Sequence, residues 1–233
     1  MPERQSILQF DHVSVEAGLA YDMSLADVTF TLSAGELAMV RMEPQRPRSP
    51  LPDAAMGLAE LGGGVVGFMG EDWRDMSGYR VAEARGQIGR TFLDGGWISN
   101  LDIDENVTLA ERHHTRRRLD DIDQEATEFA QIFGLSALPH VRPAVAPRSD
   151  LRRAALVRAF LGRPILLVLE SPMSRMDTDV LGALVRATSA ARSRGAAVLW
   201  TADSAEIWGE PALQPTARWR LDMGRLVRAD EQT

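Results

Sequence analysis

Two stretches near the N-terminus alternate apolar and polar residues with a period of two, which predicts strands over 6–16 and 25–33. Three mostly apolar runs, "ELAMVRM", "PILLVLE" and "AAVLWTA", are typical of strands buried on both faces, as in a parallel sheet. Apolar runs bounded by glycines predict short strands at 63–70 and 86–93, and helical spacing predicts a helix at 52–61. Strands and helices therefore alternate along the chain, as they do in α/β proteins.

The middle of the chain, from 102 to 162, has mostly helical periodicity, and a further helix and a closing hairpin follow the last buried strands. The order predicts the α/β class, with an antiparallel β layer, a parallel α/β core and an inserted helical subdomain. We expect one domain over 1–233, whose core comprises 1–93 and 163–233 and whose helical subdomain is 94–162.

Composition narrows the possible functions. Hydrophobic residues make up 45% of the chain and charged residues 25%, as in ordinary globular proteins, and the net charge of −7 argues against nucleic acid as a partner. The absence of cysteine excludes thiolate metal sites, and all 26 basic residues are arginine. Because no apolar run is long enough to span a membrane and the N-terminus does not resemble a signal peptide, we expect the chain in the cytoplasm.

Six phrases, in order and at the family's spacings, carry a resemblance to one family. They resemble the nucleotide-binding domain of ABC transporters, which has a P-loop NTPase-like fold: "LSAGELAMV", "GLAELGGGVVGFMGEDW", "IGRTFLDGGWISNLDIDENVTLAERHH", "LRRAALVRAFLGRPILLVLESPMSRMD", "RGAAVLWTADSAEI" and "RWRLDMGRLV". The phrase "GGWISNLDIDENV" is most similar to ATPase subunits of phospholipid-trafficking, mammalian-cell-entry-type transporters.

The resemblance places the phosphate-binding motif, GxxxxGK[ST], on residues 42–49. Met42 and Pro47 stand at the two glycines and Arg48 at the lysine, so that only Ser49 matches the pattern. Proline lacks an N–H donor and cannot take glycine's backbone angles, and a guanidinium does not replace a compact ammonium. We interpret the segment as a loop and helix cap, with phosphate binding by Arg46 and Arg48 as the alternative.

Other positions of the family pattern also differ. The aromatic residue that stacks on adenine falls near Ala17, and the glutamine of the Q-loop falls on Leu93. The signature motif, LSGGQ, falls on Ala146 to Asp150, "APRSD", where a carboxylate would face a phosphate. None of these side chains offers the contact that the resemblance implies.

The strand that ends in the Walker B acid keeps Glu170 at that position. The catalytic glutamate that follows is replaced by Ser171, which is not a general base, and the switch histidine by Ala202. The D-loop shape is kept in "SRMD", which ends at Asp177.

From these replacements we expect a catalytically inactive ABC-type subunit, not an enzyme, that acts as a scaffold or regulator of a transporter-like complex, with no cofactor, no catalytic residue and no metal. One alternative is a divergent ATP-binding or ATPase subunit that uses Arg46, Arg48, Ser49 and Glu170. Another is a soluble protein-interaction module.

The resemblance also implies partners: a membrane permease-like subunit and a second cassette, as a homodimer or heterodimer, at the cytoplasmic face of the inner membrane. In the family, a cleft beside the Q-loop receives a short helix of the membrane subunit. The apolar residues available there are Leu93, Trp97, Ile98 and Leu101. They are interpreted either as this docking surface or as ordinary core.

Overall fold

The computed structural model describes residues 5–43, 48–174, 176 and 178–229. Ten strands form within them: β1 (Ser6–Val15), β2 (Leu25–Ser33), β3 (Leu37–Arg41), β4 (Gly63–Phe68), β5 (Glu71–Asp72), β6 (Ile88–Thr91), β7 (Leu166–Glu170), β8 (Ala197–Ala202), β9 (Ala217–Asp222) and β10 (Arg225–Arg228). The helices are α1 (Leu51–Ala55), α2 (Gly78–Arg85), α3 (Ile103–His114), α4 (Leu119–Ile132), α5 (Arg148–Phe160), α6 (Leu181–Ser193) and α7 (Ala205–Gly209).

The strands form two sheets. An antiparallel sheet has the order β2-β1-β4-β5, and a six-stranded sheet has the order β10-β9-β3-β8-β7-β6. In the larger sheet all neighbouring strands pair in parallel except β9 and β10, which form the predicted closing hairpin. This arrangement confirms the predicted α/β class with an antiparallel layer and a parallel core. Helices α3, α4 and α5, which lie between β6 and β7 in the chain, pack on one another. The predicted boundaries of the helical subdomain, at 93/94 and 162/163, remain a prediction.

Both faces of the central strands are buried. Leu37 and Met39 of β3 pack in the core that contains α3 to α6, whereas Ala38 and Val40 pack in the core under the antiparallel layer. The apolar run "ELAMVRM" is continuous because successive side chains of a strand point to opposite faces, and here each face meets a core. No helix within the described residues is both long enough and apolar enough to cross a membrane.

The helix predicted over 52–61 is wrong in length, because α1 ends at Ala55. Gly57 adopts a φ of +63°, in the left-handed region, and a Cβ there would lie 2.6 Å from the ring of Trp73. The chain therefore leaves the helix where it packs on Trp73. Helix α2 was not predicted; Ser77 caps it by accepting the backbone N–H of Arg80.

A glycine sets the distance between the sheet edge and the helical region. Gly89 of β6 lies so close to α5 that a Cβ on it would be 1.8 Å from the carbonyl oxygen of Ala159. Since that atom belongs to the backbone, a side chain here would displace the helix or the strand. The approach matters for function because the segment after β6 and the beginning of α5 both reach the candidate site.

We expect the Gly89→Ala variant to unfold at a lower urea concentration, with the free energy of unfolding reduced by roughly 1–3 kcal/mol, because a buried backbone must shift. Gly63→Ala is the matched control, since a Cβ on Gly63 would meet open space. Equal stability of the two variants would contradict the close packing of β6 on α5.

Candidate functional site

The carboxyl ends of β3, β6, β7 and β8 meet at one edge of the larger sheet, where a cavity of about 730 Å³ opens. Its wall includes residues that end or follow β6 and β7 and residues in the first turns of α5: Thr91, Leu93, Glu170, Ser171, Arg148 and Arg152. Open α/β sheets bind ligands at this edge, where the strand ends leave a crevice.

Glu170, at the end of β7, is held from several sides. Its backbone N–H donates to the hydroxyl of Thr91 at 2.9 Å, and its Oε2 atom lies 3.4 Å from the backbone nitrogen of Leu93. Burial raises the pKa of Glu170 above its ordinary value, and the positive charge of Arg90 opposes this rise without cancelling it. The position that resembles a Walker B acid is thus mostly buried and already bonded.

The partner of Glu170 is Arg90 of β6, which the sequence analysis did not select. The Nε atom of Arg90 donates to Glu170 Oε1 at 2.6 Å, Nη2 forms an ion pair with the same oxygen, and Nη2 also lies 2.6 Å from Oδ1 of Asp53. The side chain of Arg90 is 6% exposed. A buried cation between two carboxylates, which we call the Arg90 triad (Asp53, Arg90 and Glu170), therefore sits at the sheet edge.

Tyr21 completes the surroundings of the Arg90 triad. Its hydroxyl donates to Asp53 Oδ2 at 2.9 Å, and burial together with this carboxylate raises the pKa of Tyr21 to about 12. Tyr21, an aromatic residue close to Ala17 in the chain, is therefore half-buried and bonded to the triad. The carbonyl oxygen of Ala17 accepts the backbone N–H of Tyr21 at 3.1 Å.

Arg48 lines the cavity. Its Nη2 atom is 2.5 Å from Oδ2 of Asp94, and its backbone N–H donates to Asp22 at 3.0 Å. Both side chains of the ion pair are more than half exposed, so the pair adds little to stability and can exchange with a ligand.

Ser49 is buried, and its hydroxyl accepts the N–H of Leu51 at 3.2 Å. The N-cap of α1 is the next residue, Pro50.

Met42 and Ala202, at two positions of the family pattern, are both buried. Met42 is buried, and its backbone N–H donates to the carbonyl of Ala202 at 2.8 Å. Ala202 is also buried, but the next residue, Asp203, lines the cavity with a carboxylate. The sequence signal for Asp203 was its place directly after an apolar strand.

Ser171 is in a strained conformation. Its φ is +38°, which is uncommon for a residue with a side chain, and its N–H lies 3.1 Å from the hydroxyl of Thr201. The strained residue lies on the cavity wall, immediately after Glu170. Strain of this kind concentrates at functional sites, which supports assigning function to this edge.

The segment 92–97 is tied to α5 by Arg158. Its Nη1 and Nη2 atoms donate to the carbonyl oxygens of Gly96 and Gly95 at 2.8 and 2.6 Å. The guanidinium carbon also lies 4.5 Å from the ring centroid of Trp97 and 5.3 Å from that of Phe92. Burial, and after it the charge of Arg90, lowers the pKa of Arg158 to about 10, so the group remains charged at neutral pH.

The four predicted partner-binding residues separate in the structure. Leu93 and Trp97 line the cavity, and Trp97 packs partly on the core. Ile98 is 43% exposed, and Leu101 is half-buried. Neither of these two is among the described residues that line the cavity. The side chain of Asn106 holds this turn together, because it accepts the N–H of Ile98 and donates to the carbonyl oxygens of Ile98 and Leu101.

The predicted signature segment, Ala146 to Asp150, leads into α5. Pro147 precedes the first helical residue, Arg148, and Ser149 lies 3.2 Å from the carboxylate of Asp150. Arg148 is exposed and contributes a positive charge to the cavity wall.

Three residues named in the sequence analysis, Arg46, Pro47 and Asp177, lie outside the described residues. Within the described part, no three histidine, aspartate or glutamate side chains group as metal ligands. The family pattern implies Mg²⁺ beside the Walker B acid and the P-loop hydroxyl. The residues present do not fit that ion, because Glu170 is bonded to a guanidinium and the Ser49 hydroxyl is used by the helix start.

No family model matches the chain. It is 29% identical, over 157 residues, to the sulfate/thiosulfate import ATP-binding protein CysA of Nocardia farcinica. The aligned region covers 67% of this chain and 46% of that protein. It is 25% identical, over 151 residues, to the probable ribonucleotide transport ATP-binding protein mkl of Mycobacterium tuberculosis, covering 65% of this chain and 42% of that protein. The chain thus spans less than half the length of these relatives.

Solved structures show the same fold. An ATP binding subunit of an ABC transporter superposes with a TM-score of 0.79 at 19% identity, over 96% of this chain and 89% of that one. The dimeric ABC transporter cassette MJ0796 superposes with a TM-score of 0.81 at 16% identity, over 95% of this chain and 97% of that one. The chain therefore has the ABC ATPase fold, and its sequence relatives are named as import and transport ATP-binding proteins.

These comparisons correct one expectation. The prediction that the chain is not an enzyme is wrong, because its relatives are named as import and transport ATP-binding proteins and a structure of MJ0796 with the same fold is a post-hydrolysis state bound to ADP and Pi. The inactive-scaffold interpretation loses its support with it. The replacements at Met42, Ser171 and Ala202 therefore describe an altered site and do not establish a lack of activity.

We expect the Arg158→Met variant to release the segment 92–97, because two backbone carbonyls lose their charged donor, and to lower the free energy of unfolding by roughly 2 kcal/mol. Hydrogen exchange of the amides in this segment should accelerate relative to the wild type. Arg163→Met, an exposed change just beyond α5, serves as the control. Unchanged exchange in the Arg158 variant would show that the clamp does not hold the segment.

Proposed function

We propose that the chain is a divergent ATP-binding cassette subunit of a transporter, which binds nucleotide in the cavity at the carboxyl edge of the larger sheet. The observation that carries this proposal is the cavity itself, which combines the ligand-binding edge of the fold with three arginines on its wall: Arg48, Arg148 and Arg152. The similarity of the chain to import and transport ATP-binding proteins supports the choice of nucleotide.

The arginines suit a polyphosphate. A guanidinium binds phosphate oxygens through two parallel hydrogen bonds, which makes it a strong phosphate ligand even where a lysine is absent. Arg48 stands at the lysine position of the family pattern and lines the cavity, and Ser49 follows it just before the N-cap of α1. Arg46 is proposed as a further phosphate ligand only because it precedes Arg48 in the sequence. Glu170 acts in this proposal through Arg90, which it orients.

We further propose that the subunit pairs with a second cassette, identical or not, and with a membrane permease-like subunit at the cytoplasmic face of the inner membrane. The dimeric cassette with the same fold supports the first pairing. Exposed Ile98, next to Trp97 on the segment after β6, supports a contact that involves Leu93, Trp97, Ile98 and Leu101. The similarity of residues 95–107 to ATPase subunits of phospholipid-trafficking transporters remains a prediction, because the relatives are named for sulfate, thiosulfate and ribonucleotides.

The nucleotide proposal is tested by calorimetry with ATP and by ATPase measurements on the same preparation. We expect the wild type to bind ATP and Arg48→Ala to bind it roughly tenfold more weakly, since a charge-assisted hydrogen bond contributes about 1.5–3 kcal/mol. Arg80→Ala is the control, because Arg80 is also half-exposed and ion-paired but does not line the cavity. No binding by the wild type, or equal loss in both variants, would refute the proposal.

The partner contact is tested by co-sedimentation of the chain with membranes of the cells that produce it. We expect Ile98→Asp to lower the membrane-bound fraction several-fold, because a charge placed in an apolar contact costs about 2 kcal/mol or more. The control is Met223→Asp, an exposed residue of the closing hairpin. If the wild type stays in the soluble fraction, the interaction-module alternative is favoured instead.

A further inference from the structure

The Arg90 triad is a mostly buried group of charges at the candidate site. Arg90 comes from β6, Glu170 from the end of β7 and Asp53 from α1, so three separate elements bring them together. The exposed fractions of the side chains are 6% for Arg90, 14% for Glu170 and 29% for Asp53. A single positive charge therefore lies between two carboxylates, and most of the surface of the three side chains is shielded from water.

Each carboxylate oxygen of the triad already has a partner. Oδ1 of Asp53 and Oε1 of Glu170 contact the guanidinium, Oδ2 of Asp53 accepts the hydroxyl of Tyr21, and Oε2 of Glu170 faces the N–H of Leu93. The ring of Phe92 covers the guanidinium, whose carbon is 4.3 Å from the ring centroid. A divalent cation would have to displace these donors and approach a fixed positive charge.

We propose that Arg90 is a built-in cation which occupies the place of the divalent ion beside the Walker B acid, so that this site binds nucleotide phosphate without Mg²⁺. The first half concerns the protein by itself, and the second half rests on the proposed nucleotide binding. The geometry carries the inference, because the guanidinium bridges the acid at the end of β7 and a carboxylate of the helix that follows the P-loop position. Phosphate charge is then balanced by the arginines of the cavity wall.

The first experiment needs no nucleotide. Thermal unfolding of the full chain is followed in millimolar MgCl₂, in EDTA and in NaCl of matched ionic strength. We expect the same midpoint for the wild type in all three solutions. Arg90→Met leaves Asp53 and Glu170 facing each other without a cation, so its midpoint should be lower than that of the wild type and should rise specifically with MgCl₂.

Two further variants separate charge from packing. The double variant Arg90→Met/Glu170→Gln removes one of the opposing charges and should lose the response to MgCl₂. Arg90→Lys keeps the positive charge and should remain insensitive to the ion. A specific rise of the wild-type midpoint with MgCl₂, or no response by a folded Arg90→Met variant, would overturn the built-in cation. If Arg90→Met does not fold, calorimetric titration of MgCl₂ into the wild type decides the question, and saturable binding that Glu170→Gln abolishes would overturn it.

The second experiment measures ATP binding by the wild type in MgCl₂ and in EDTA. We expect dissociation constants that agree within about a factor of two, a difference of roughly 0.4 kcal/mol. Binding that is lost in EDTA would overturn the metal-free mode even though nucleotide binding itself stands. Absence of binding in both solutions would refute the proposed nucleotide function and metal-free binding with it, while the unfolding experiment still decides the role of Arg90.

Discussion

The buried guanidinium of Arg90 is the constraint on which the sheet edge depends. A cation held inside a protein is tolerated only where opposite charges and hydrogen bonds replace the lost water, and removing one partner of such a group typically costs about 3–5 kcal/mol. Asp53 and Glu170 supply those charges from a helix and from another strand. The triad thereby fixes α1 against the ends of β6 and β7 and places the residues that line the cavity.

A second arginine extends this order to the helical region. The rings of Phe92 and Trp97 alternate with the guanidinium groups of Arg90 and Arg158, and Arg158 also bonds the backbone after β6. A planar guanidinium stacks on rings and donates in a fixed fork, which a lysine ammonium does not do. In a chain whose basic residues are all arginine, the contacts of α5 with the site are built from this chemistry.

The fold and the site agree with the ABC cassette pattern to different degrees. The order of strands and the superposition on ABC cassettes are kept over almost the whole chain, yet Met42 and Ala202 are buried where the family pattern has functional residues. Charged groups reach the same edge from other places, among them Arg148 and Asp203. Function depends on the residues at the site rather than on the fold, so this altered edge is the part of the molecule that defines its chemistry.

The class of fold could be predicted from the sequence because strand alternation, two-sided apolar runs and helix signals are local patterns, and β3, β7 and β8 appeared where such runs occur. Glu170 could be placed for the same reason, at the end of a buried strand. The length of α1 could not be predicted, since it depends on how Gly57 meets Trp73. Arg90 was missed because a charged residue in a short strand normally faces water, and its partner Glu170 is 80 residues away in the chain. Only the tertiary structure brings these charges together, because burial turns a single arginine into the centre of an ion triad.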